Sequence, residues 1–91
     1  MEITYDPDKC RRNVEERGLS FDIVGGLDWS SALVIEDLRR DYGERRFQVL
    51  GYIGDRLHAL VFTPRAAAVH VISLRKANSR EVKRYEQAKQ A

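Results

Sequence analysis

The clearest pattern in the chain is an apolar run rich in β-branched residues, Val69–Leu74, which becomes basic at Arg75-Lys76. Such a run indicates a buried strand. Asn78 and Glu81 follow with the spacing of a capping box, which predicts a helix from Asn78 to about Lys89. This strand, its short turn and the basic helix would together hold a cationic corner on a rigid support.

Alternation and capping residues predict one more strand and two helices in the N-terminal third. Glu2–Tyr5 alternates polar and apolar residues as a strand does. Asp6-Pro7 is typical of the start of a helix, and Gly18 of its end. Ser20 and Gly25-Gly26 bracket a short second helix.

Four strand patterns follow, separated by turn residues. They are Ala32–Ile35, Arg46–Ile53, Leu57–Thr63 and Ala68–Arg75. Tight turns at Gly54-Asp55 and at 64–67 would join the last three into an antiparallel meander. We therefore predict one α+β domain over residues 1–91. It would have a small, mainly antiparallel sheet, two N-terminal helices and one C-terminal helix.

Charge separates the two ends of the chain, although the net charge is only +2. Residues 1–28 carry four basic and seven acidic side chains, whereas residues 65–91 carry seven basic and two acidic ones. A basic end suggests a polyanion or an acidic protein as partner. A solvated helix face also explains such a run of basic residues, and charge alone favours that explanation over a binding partner.

Several site classes find little support in the sequence. Cys10 is the single cysteine, so neither an internal disulfide nor a thiolate metal cluster is expected. His58 and His70 lie on different strands without carboxylates at ligand spacing, and we expect each partly exposed at a strand's edge. Trp29 is expected to fill the core. No apolar run of membrane-spanning length and no signal peptide pattern is present, so we expect a cytoplasmic chain.

Arginine is the abundant functional group, and guanidinium groups hold phosphates in bidentate geometry. RNA can be cleaved without a metal when its 2′-hydroxyl attacks the phosphorus, given a base, an acid and cations. The composition alone fits a simple RNA binder equally well. The arginines that could converge are Arg46, Arg65, Arg75, Arg80 and Arg84.

Motifs spread over most of the chain resemble those of the BrnT toxin family. The resemblance runs from Tyr5 to about Tyr85, and it rests on the order and spacing of the motifs rather than on any one of them. The matching stretches are Tyr5–Lys9, Asn13, Gly18–Phe21, Gly43–Phe47, Thr63–Arg65, Ile72–Ala77, Arg80-Glu81 and Tyr85.

The resemblance implies a ribonuclease toxin of a type II toxin–antitoxin system, with a RelE-like fold and no cofactor or metal. It also implies an RNA substrate and a BrnA-type ribbon-helix-helix antitoxin. That antitoxin would form a complex with two copies of each chain and bind operator DNA. No membrane is involved.

The resemblance also assigns roles to individual residues. Arg46 and Arg75 would hold the phosphate, with Arg80 assisting. Glu81 could be the base, although its capping-box role competes, and Tyr85 is either a core residue or a proton donor. The implied catalytic set is therefore Arg46, Arg75, Arg80, Glu81 and Tyr85. The implied RNA-binding set is Lys9, Arg17, Arg65, Lys76, Lys83 and Arg84.

One departure from the family bears on activity. The family usually has Lys-His-Gly after its first-helix asparagine, where this chain has Glu16-Arg17-Gly18. Arginine is a poor general acid or base because it does not lose its proton. An inactive relative that binds RNA or the antitoxin is therefore the main alternative. An interaction module whose basic helix grips an acidic partner is a third possibility.

Overall fold

The computed structural model describes residues 1–90 and contains a five-stranded mixed sheet, one α-helix between its first and second strands and one α-helix after its last strand. The strand order is β1-β5-β4-β3-β2, in which β1 runs parallel to β5 and the other neighbours are antiparallel. The elements are β1 (Glu2–Tyr5), α1 (Pro7–Arg17), β2 (Leu33–Glu36), β3 (Phe47–Ile53), β4 (Arg56–Arg65), β5 (Ala68–Lys76) and α2 (Ser79–Gln90).

The prediction of two N-terminal helices is wrong. Only α1 is an α-helix in this part of the chain, and the segment after it forms two 3₁₀ helices, Phe21–Gly26 and Trp29–Ser31. Ser20 does cap the first of them, since its side chain accepts the Asp22 N–H. Six residues that end in two glycines favour the tighter form, because each glycine costs a helix about 1 kcal/mol relative to alanine. The fold is still α+β.

The predicted ends of both α-helices are confirmed. Asp6 accepts the Asp8 N–H at 2.9 Å, and Gly18 ends α1 in the left-handed region at φ +70°. At α2, Asn78 and Glu81 form a reciprocal capping box, with hydrogen bonds of 2.9 and 3.0 Å. Both helix starts are therefore fixed by local side chains.

The hairpin between β4 and β5 is tighter than predicted. β4 continues through Pro64 and Arg65, so the turn consists of Ala66 and Ala67 alone, with Ala66 at φ +53°. Arg65 and Ala68 close this turn. The next pair, Pro64 and Val69, is therefore one that exchanges no hydrogen bonds across the hairpin. The Pro64 nitrogen points toward β3 instead, beyond the last residue of β4 that pairs with β3. Proline is tolerated there because no N–H is needed.

Two apolar cores cover opposite faces of the sheet. Val49 and Leu50 are neighbours on β3 but belong to different cores. The larger core lies on the α1 side and includes Phe21 and Val24, and the half-buried Trp29 packs against it, as expected. The smaller core packs α2 on the other face through Leu50, Leu57, Ala77 and Tyr85.

α2 covers only one end of its face, and the rest of that face stays open. One cross-strand row on this face reads Leu33, Leu50, Ala59, Arg75, and the next row reads Ile35, Gln48, Val61, Ser73. The second row carries polar side chains on the inner strands, which an apolar core would not.

No helix among residues 1–90 is long and apolar enough to cross a membrane.

One of the two histidines differs from expectation. His58 is 4% exposed, with Nδ1 2.9 Å from the Arg56 carbonyl oxygen, so the prediction of a partly exposed edge residue is wrong for it. His70 is partly exposed, as predicted, and is the third residue of β5. Both lie on interior strands, since β1 and β2 form the edges of the sheet.

Candidate nucleic-acid interface

A β-bulge in β5 turns polar side chains toward the open face. Phe62 pairs with Val71 and Val61 pairs with Ser73, so Ile72 is the extra residue. Before the bulge Val71 faces the α1 core, and after it Leu74 does so. Ser73 and Arg75 are therefore directed to the open face. Bulges often occur beside functional sites because they redirect side chains in this way.

The first of three hollows around this bulge, the Arg75 hollow, lies between the open sheet face and α2 and holds about 320 Å³. Arg75 donates two parallel hydrogen bonds to Glu81, at 2.7 and 2.9 Å. Arg39 and Arg84 also line this hollow. Its floor is mostly apolar, and its charged groups come from β5, α2 and the loop after β2.

Glu81 is engaged on both carboxylate oxygens. Besides Arg75, it accepts the Asn78 N–H at 3.0 Å, and its side chain is only 14% exposed. The hydrogen bonds from Arg75 lower the pKa of Glu81, and the same pair raises the pKa of Arg75. A carboxylate so stabilised is a weak base. These contacts favour the structural role of Glu81.

Tyr85 is likewise engaged in packing. Its side chain is 7% exposed, its hydroxyl donates to the Ser31 carbonyl at 2.8 Å, and its ring meets Tyr52 edge-on. The hydroxyl proton is thus committed to a buried hydrogen bond. This geometry favours the core role over that of a proton donor.

The second hollow, the Arg46 hollow, lies where β4 and β5 extend beyond β3 and holds about 370 Å³. The Arg46 guanidinium stacks 4.2 Å from the Tyr42 ring centre, and its nearest carboxylate contact, Glu44, is 3.9 Å away. Its Nε atom is buried without a hydrogen-bond partner among residues 1–90. Arg65 and His70 also line the hollow.

The loop before β3 is built around Asp37, which positions Tyr42 for Arg46. The buried Asp37 carboxylate accepts hydrogen bonds from the Arg39 side chain and from the Tyr42 hydroxyl, all at 2.9 Å. These hydrogen bonds, of which those from Arg39 have the largest effect, hold the pKa of Asp37 well below its usual range. Thr63 adds a tie from β4, since its hydroxyl donates to the Arg45 carbonyl at 2.6 Å.

His70 is held from β1. Its Nδ1 lies 2.9 Å from the Thr4 hydroxyl oxygen. Partial burial, followed by the neighbouring Arg65 cation, lowers the pKa of His70 from its ordinary 6.5. The ring is therefore mostly neutral at pH 7.

The third hollow, the Arg17 hollow, lies between α1 and β5 and holds about 220 Å³. Arg17 donates to Asn13 Oδ1 at 3.1 Å, while Asn13 Nδ2 donates to the Leu19 carbonyl at 2.9 Å. The buried Asn13 thus links the end of α1 to the following loop and orients Arg17. Lys9 lines both this hollow and the Arg46 hollow.

The structure does not gather all the predicted site residues into one cluster. Arg46 and Arg75 line different hollows. Leu50, which lies in the same cross-strand row as Arg75, is four positions after Arg46, a distance of about 13 Å along a strand. The hollows are nevertheless contiguous around the bulge. Ser73 lines the Arg75 and Arg17 hollows, and Ile72 lines the Arg17 and Arg46 hollows.

We call the polar lining of these three hollows the basic tract. Its cationic members from the predicted site are Lys9, Arg17, Arg46, Arg65, Arg75 and Arg84. Arg80, Lys76 and Lys83 are exposed at the β5–α2 end of the fold and line none of the three hollows. The tract can hold successive phosphates along a single strand of nucleic acid.

Sequence reasoning missed His70, Ser73, Tyr42 and Glu44 as members of the tract. A signal for the first two exists in β5, where inward apolar residues at 69 and 71 are followed by the next at 74. A step of three in a period of two indicates a bulge and puts residues 70, 73 and 75 on the other face. The stacking of Tyr42 on Arg46 depends on the loop around Asp37 and has no such local signal.

Comparison with known proteins identifies one family. The family model described as ribonuclease toxin, BrnT, of type II toxin-antitoxin system matches residues 5–81. No curated protein and no solved structure matches the chain, so the expected likeness to RelE is untested. The matched range includes β5, its bulge and every predicted site residue except Lys83, Arg84 and Tyr85.

Proposed function

Because the chain belongs to the BrnT family of ribonuclease toxins of type II toxin–antitoxin systems, we propose that it is a metal-independent endoribonuclease that acts through the basic tract. The observation that carries the proposal is the continuity of the three hollows around the β5 bulge. Each hollow shares a lining residue with the next one. Guanidinium groups from α1, β4, β5 and the loop before β3 therefore border one series of neighbouring hollows. RNA is the polyanion that fits the family.

The proposed chemistry needs only the chain, the RNA and water. The RNA 2′-hydroxyl attacks the adjacent phosphorus, the bond to O5′ breaks, and the products end in a 2′,3′-cyclic phosphate and a 5′-hydroxyl. Guanidinium groups stabilise the extra negative charge of the phosphorane. A well-placed cation contributes on the order of 3 kcal/mol of barrier, or about a hundredfold in rate.

The residues divide the work by their contacts. Arg46 keeps 29% of its side chain exposed, and among residues 1–90 its carboxylate contact is a long one of 3.9 Å to Glu44, so its guanidinium can hold a phosphate. Arg75 is aligned by Glu81 and remains 42% exposed for a second phosphate. Arg80 assists from the first turn of α2. In this proposal Glu81 positions Arg75, and Tyr85 anchors α2 to the 3₁₀ segment.

The remaining basic residues bind the RNA backbone on either side. Lys9, Arg17 and Arg65 line the Arg17 and Arg46 hollows, whereas Arg84 lines the Arg75 hollow. The exposed Lys76 and Lys83 extend the path past α2. The contacts of Arg17, Arg84, Lys76 and Lys83 set affinity rather than the chemical step.

The family also supports a protein antitoxin as partner. We propose that it is of the BrnA type, covers the basic tract, and forms a complex with two copies of each chain. Such a partner would inhibit by occupying the phosphate path. Co-expression of an antitoxin from a neighbouring gene should then relieve growth arrest, and a basic-tract variant such as Arg46→Ala should weaken the toxin–antitoxin complex.

The direct test is cleavage of a defined RNA by the native chain and by three variants. Arg46→Ala should lower the rate about a hundredfold, and Arg75→Ala should lower it by a smaller factor, because Arg75 holds the second phosphate. Arg11→Ala is the matched control, because Arg11 is 65% exposed on α1, pairs with Asp8, and lines none of the three hollows. Equal rates for all three variants would contradict the proposed site.

A specific observation keeps the second candidate function open. Both oxygens of Glu81 and the hydroxyl of Tyr85 are engaged, so neither predicted proton-transfer group is free. A folded native chain that binds RNA and antitoxin but cleaves no RNA, on or off the ribosome, would establish the inactive relative instead.

A further inference from the structure

The Arg46 hollow contains the single histidine of the basic tract. His70 lies near the start of β5 and lines the same hollow as Arg46 and Arg65. A site that cleaves RNA by attack of the 2′-hydroxyl needs a group that can take or give a proton at physiological pH. Histidine meets this need with the smallest change of pKa.

We propose that His70 is the proton-transfer residue of RNA cleavage and that the Arg46 hollow is the catalytic centre, with neutral Nε2 accepting the proton of the attacking 2′-hydroxyl. The inference rests on the proposed function. It deepens that function by naming the base and by placing the scissile phosphate between Arg46 and Arg65 rather than at Arg75.

The imidazole is held in a fixed orientation with one nitrogen free. Nδ1 lies 2.9 Å from the Thr4 hydroxyl, which fixes the ring from the neighbouring strand β1. Nε2 makes no hydrogen bond within residues 1–90, yet it is not among the buried unpaired atoms of that range. It therefore keeps some solvent exposure, and it can accept a proton in the tautomer whose Nδ1–H donates to the Thr4 hydroxyl oxygen.

The cations of the hollow are arranged for a phosphate beside this ring. Arg46 keeps 29% of its side chain exposed, and its contact to Glu44 is a long one of 3.9 Å, so its guanidinium can bind an anion. Arg65 comes from the adjacent end of β4, and its contact to Glu44 is a long one of 3.4 Å. Lys9 enters from the first turn of α1. A phosphate diester held by these three groups would lie against His70.

The charged groups with the largest effects on the pKa of His70 all line the Arg46 hollow. Arg65 and Lys9 lower its pKa, Glu44 and Asp6 raise it, and burial lowers it most. The net result lies below the ordinary 6.5, so the ring is mostly unprotonated at pH 7. A neutral imidazole is a base, which gives His70 the first proton transfer.

The proton balance closes with water alone. Nε2 takes the 2′-hydroxyl proton as O2′ forms its bond to phosphorus. The bond from phosphorus to O5′ breaks, solvent protonates O5′, and the imidazolium returns its proton to solvent. No oxidant, reductant or metal ion enters this step.

The test compares native protein with His70→Gln over pH 4.5 to 9. Glutamine keeps a hydrogen-bonding side chain of similar reach but cannot transfer a proton. The native kcat/KM should rise with pH through a limb whose pKa lies below 6.5, and His70→Gln should lose that limb together with about a hundredfold or more in rate. His58→Gln is the matched control and should keep the limb.

Binding of a 2′-O-methyl RNA of the cleaved sequence separates catalysis from affinity. It lacks the attacking hydroxyl, so His70→Gln should bind it within twofold of the native chain, and the native His70 ring resonances should shift on binding. Thr4→Val should lower the cleavage rate and move the pKa of the limb, because it releases Nδ1.

The outcomes separate the two proposals. Native cleavage with an unchanged rate and pH limb in His70→Gln would overturn the role of His70 and leave the ribonuclease intact. An equal loss of 2′-O-methyl RNA binding in His70→Gln would make His70 a binding residue and overturn the role as base. No cleavage by the folded native chain would remove the ribonuclease proposal and the proton-transfer role with it.

Discussion

At the scale of single residues, the contacts of Tyr85 decide between its two predicted roles. Its hydroxyl donates to the Ser31 carbonyl in the smaller core. Tyr85→Phe removes this bond and leaves the carbonyl unpaired, so we expect the free energy of unfolding to fall by about 1 kcal/mol in urea. RNA cleavage should stay within twofold. A large loss of activity with unchanged stability would restore Tyr85 as a proton donor.

Glu81 gives a pH-dependent prediction. Its pKa in the folded chain lies below the ordinary 4.5, so the ionised carboxylate stabilises the fold above that value. That stabilisation is lost as the pH falls through the folded pKa. Glu81→Gln should therefore lower the urea midpoint at pH 7, and the difference from native protein should shrink below pH 4.5.

A control for this prediction lies on the same helix. Glu86 is exposed on α2, and Glu86→Gln should leave the urea midpoint unchanged at every pH. A midpoint difference for Glu81→Gln that stays constant down to low pH would show that lost packing, not the ion pair with Arg75 and the capping box, explains its effect.

At the scale of elements, the β4–β5 hairpin carries strain that a substitution can relieve. Ala66 has φ +53°, a left-handed conformation that costs a residue with a Cβ about 1 kcal/mol. Ala66→Gly should therefore raise the free energy of unfolding by up to about that amount. Ala67→Gly is the matched control and should lower it by about 0.5 kcal/mol, because glycine only adds freedom to the unfolded chain. The reverse order in urea unfolding would contradict the turn geometry.

The elements also show how far sequence reasoning extends. Both α-helices could be predicted from their capping residues, because capping uses side chains only a few residues apart. These residues are Asp6, Gly18 and the Asn78–Glu81 pair. The sequence pattern predicts an α-helix where the 3₁₀ segment forms, because the Ser20 cap is present in both. Only the short length of the segment and its two glycines indicate the tighter form. The division of arginines between hollows depends on strand register, which no local pattern states.

At the scale of the whole molecule, binding should depend on salt in proportion to the phosphates held. For single strands, log K falls with log salt at a slope of about −0.7 per phosphate neutralised. Arg46→Ala and Arg65→Ala should each flatten the slope for 2′-O-methyl RNA by about 0.7, whereas Arg11→Ala should leave it unchanged. Identical slopes for all three variants would place the RNA elsewhere on the surface.

The central claim is that the basic tract cleaves RNA through the 2′-hydroxyl without a metal. The measurement that tests it most directly is the end chemistry of RNA cut by the native chain in excess EDTA. We predict cleavage that survives the chelator and yields 2′,3′-cyclic phosphate and 5′-hydroxyl ends. Cleavage that stops in EDTA, returns with Mg²⁺ and leaves 5′-phosphate ends would contradict the claim.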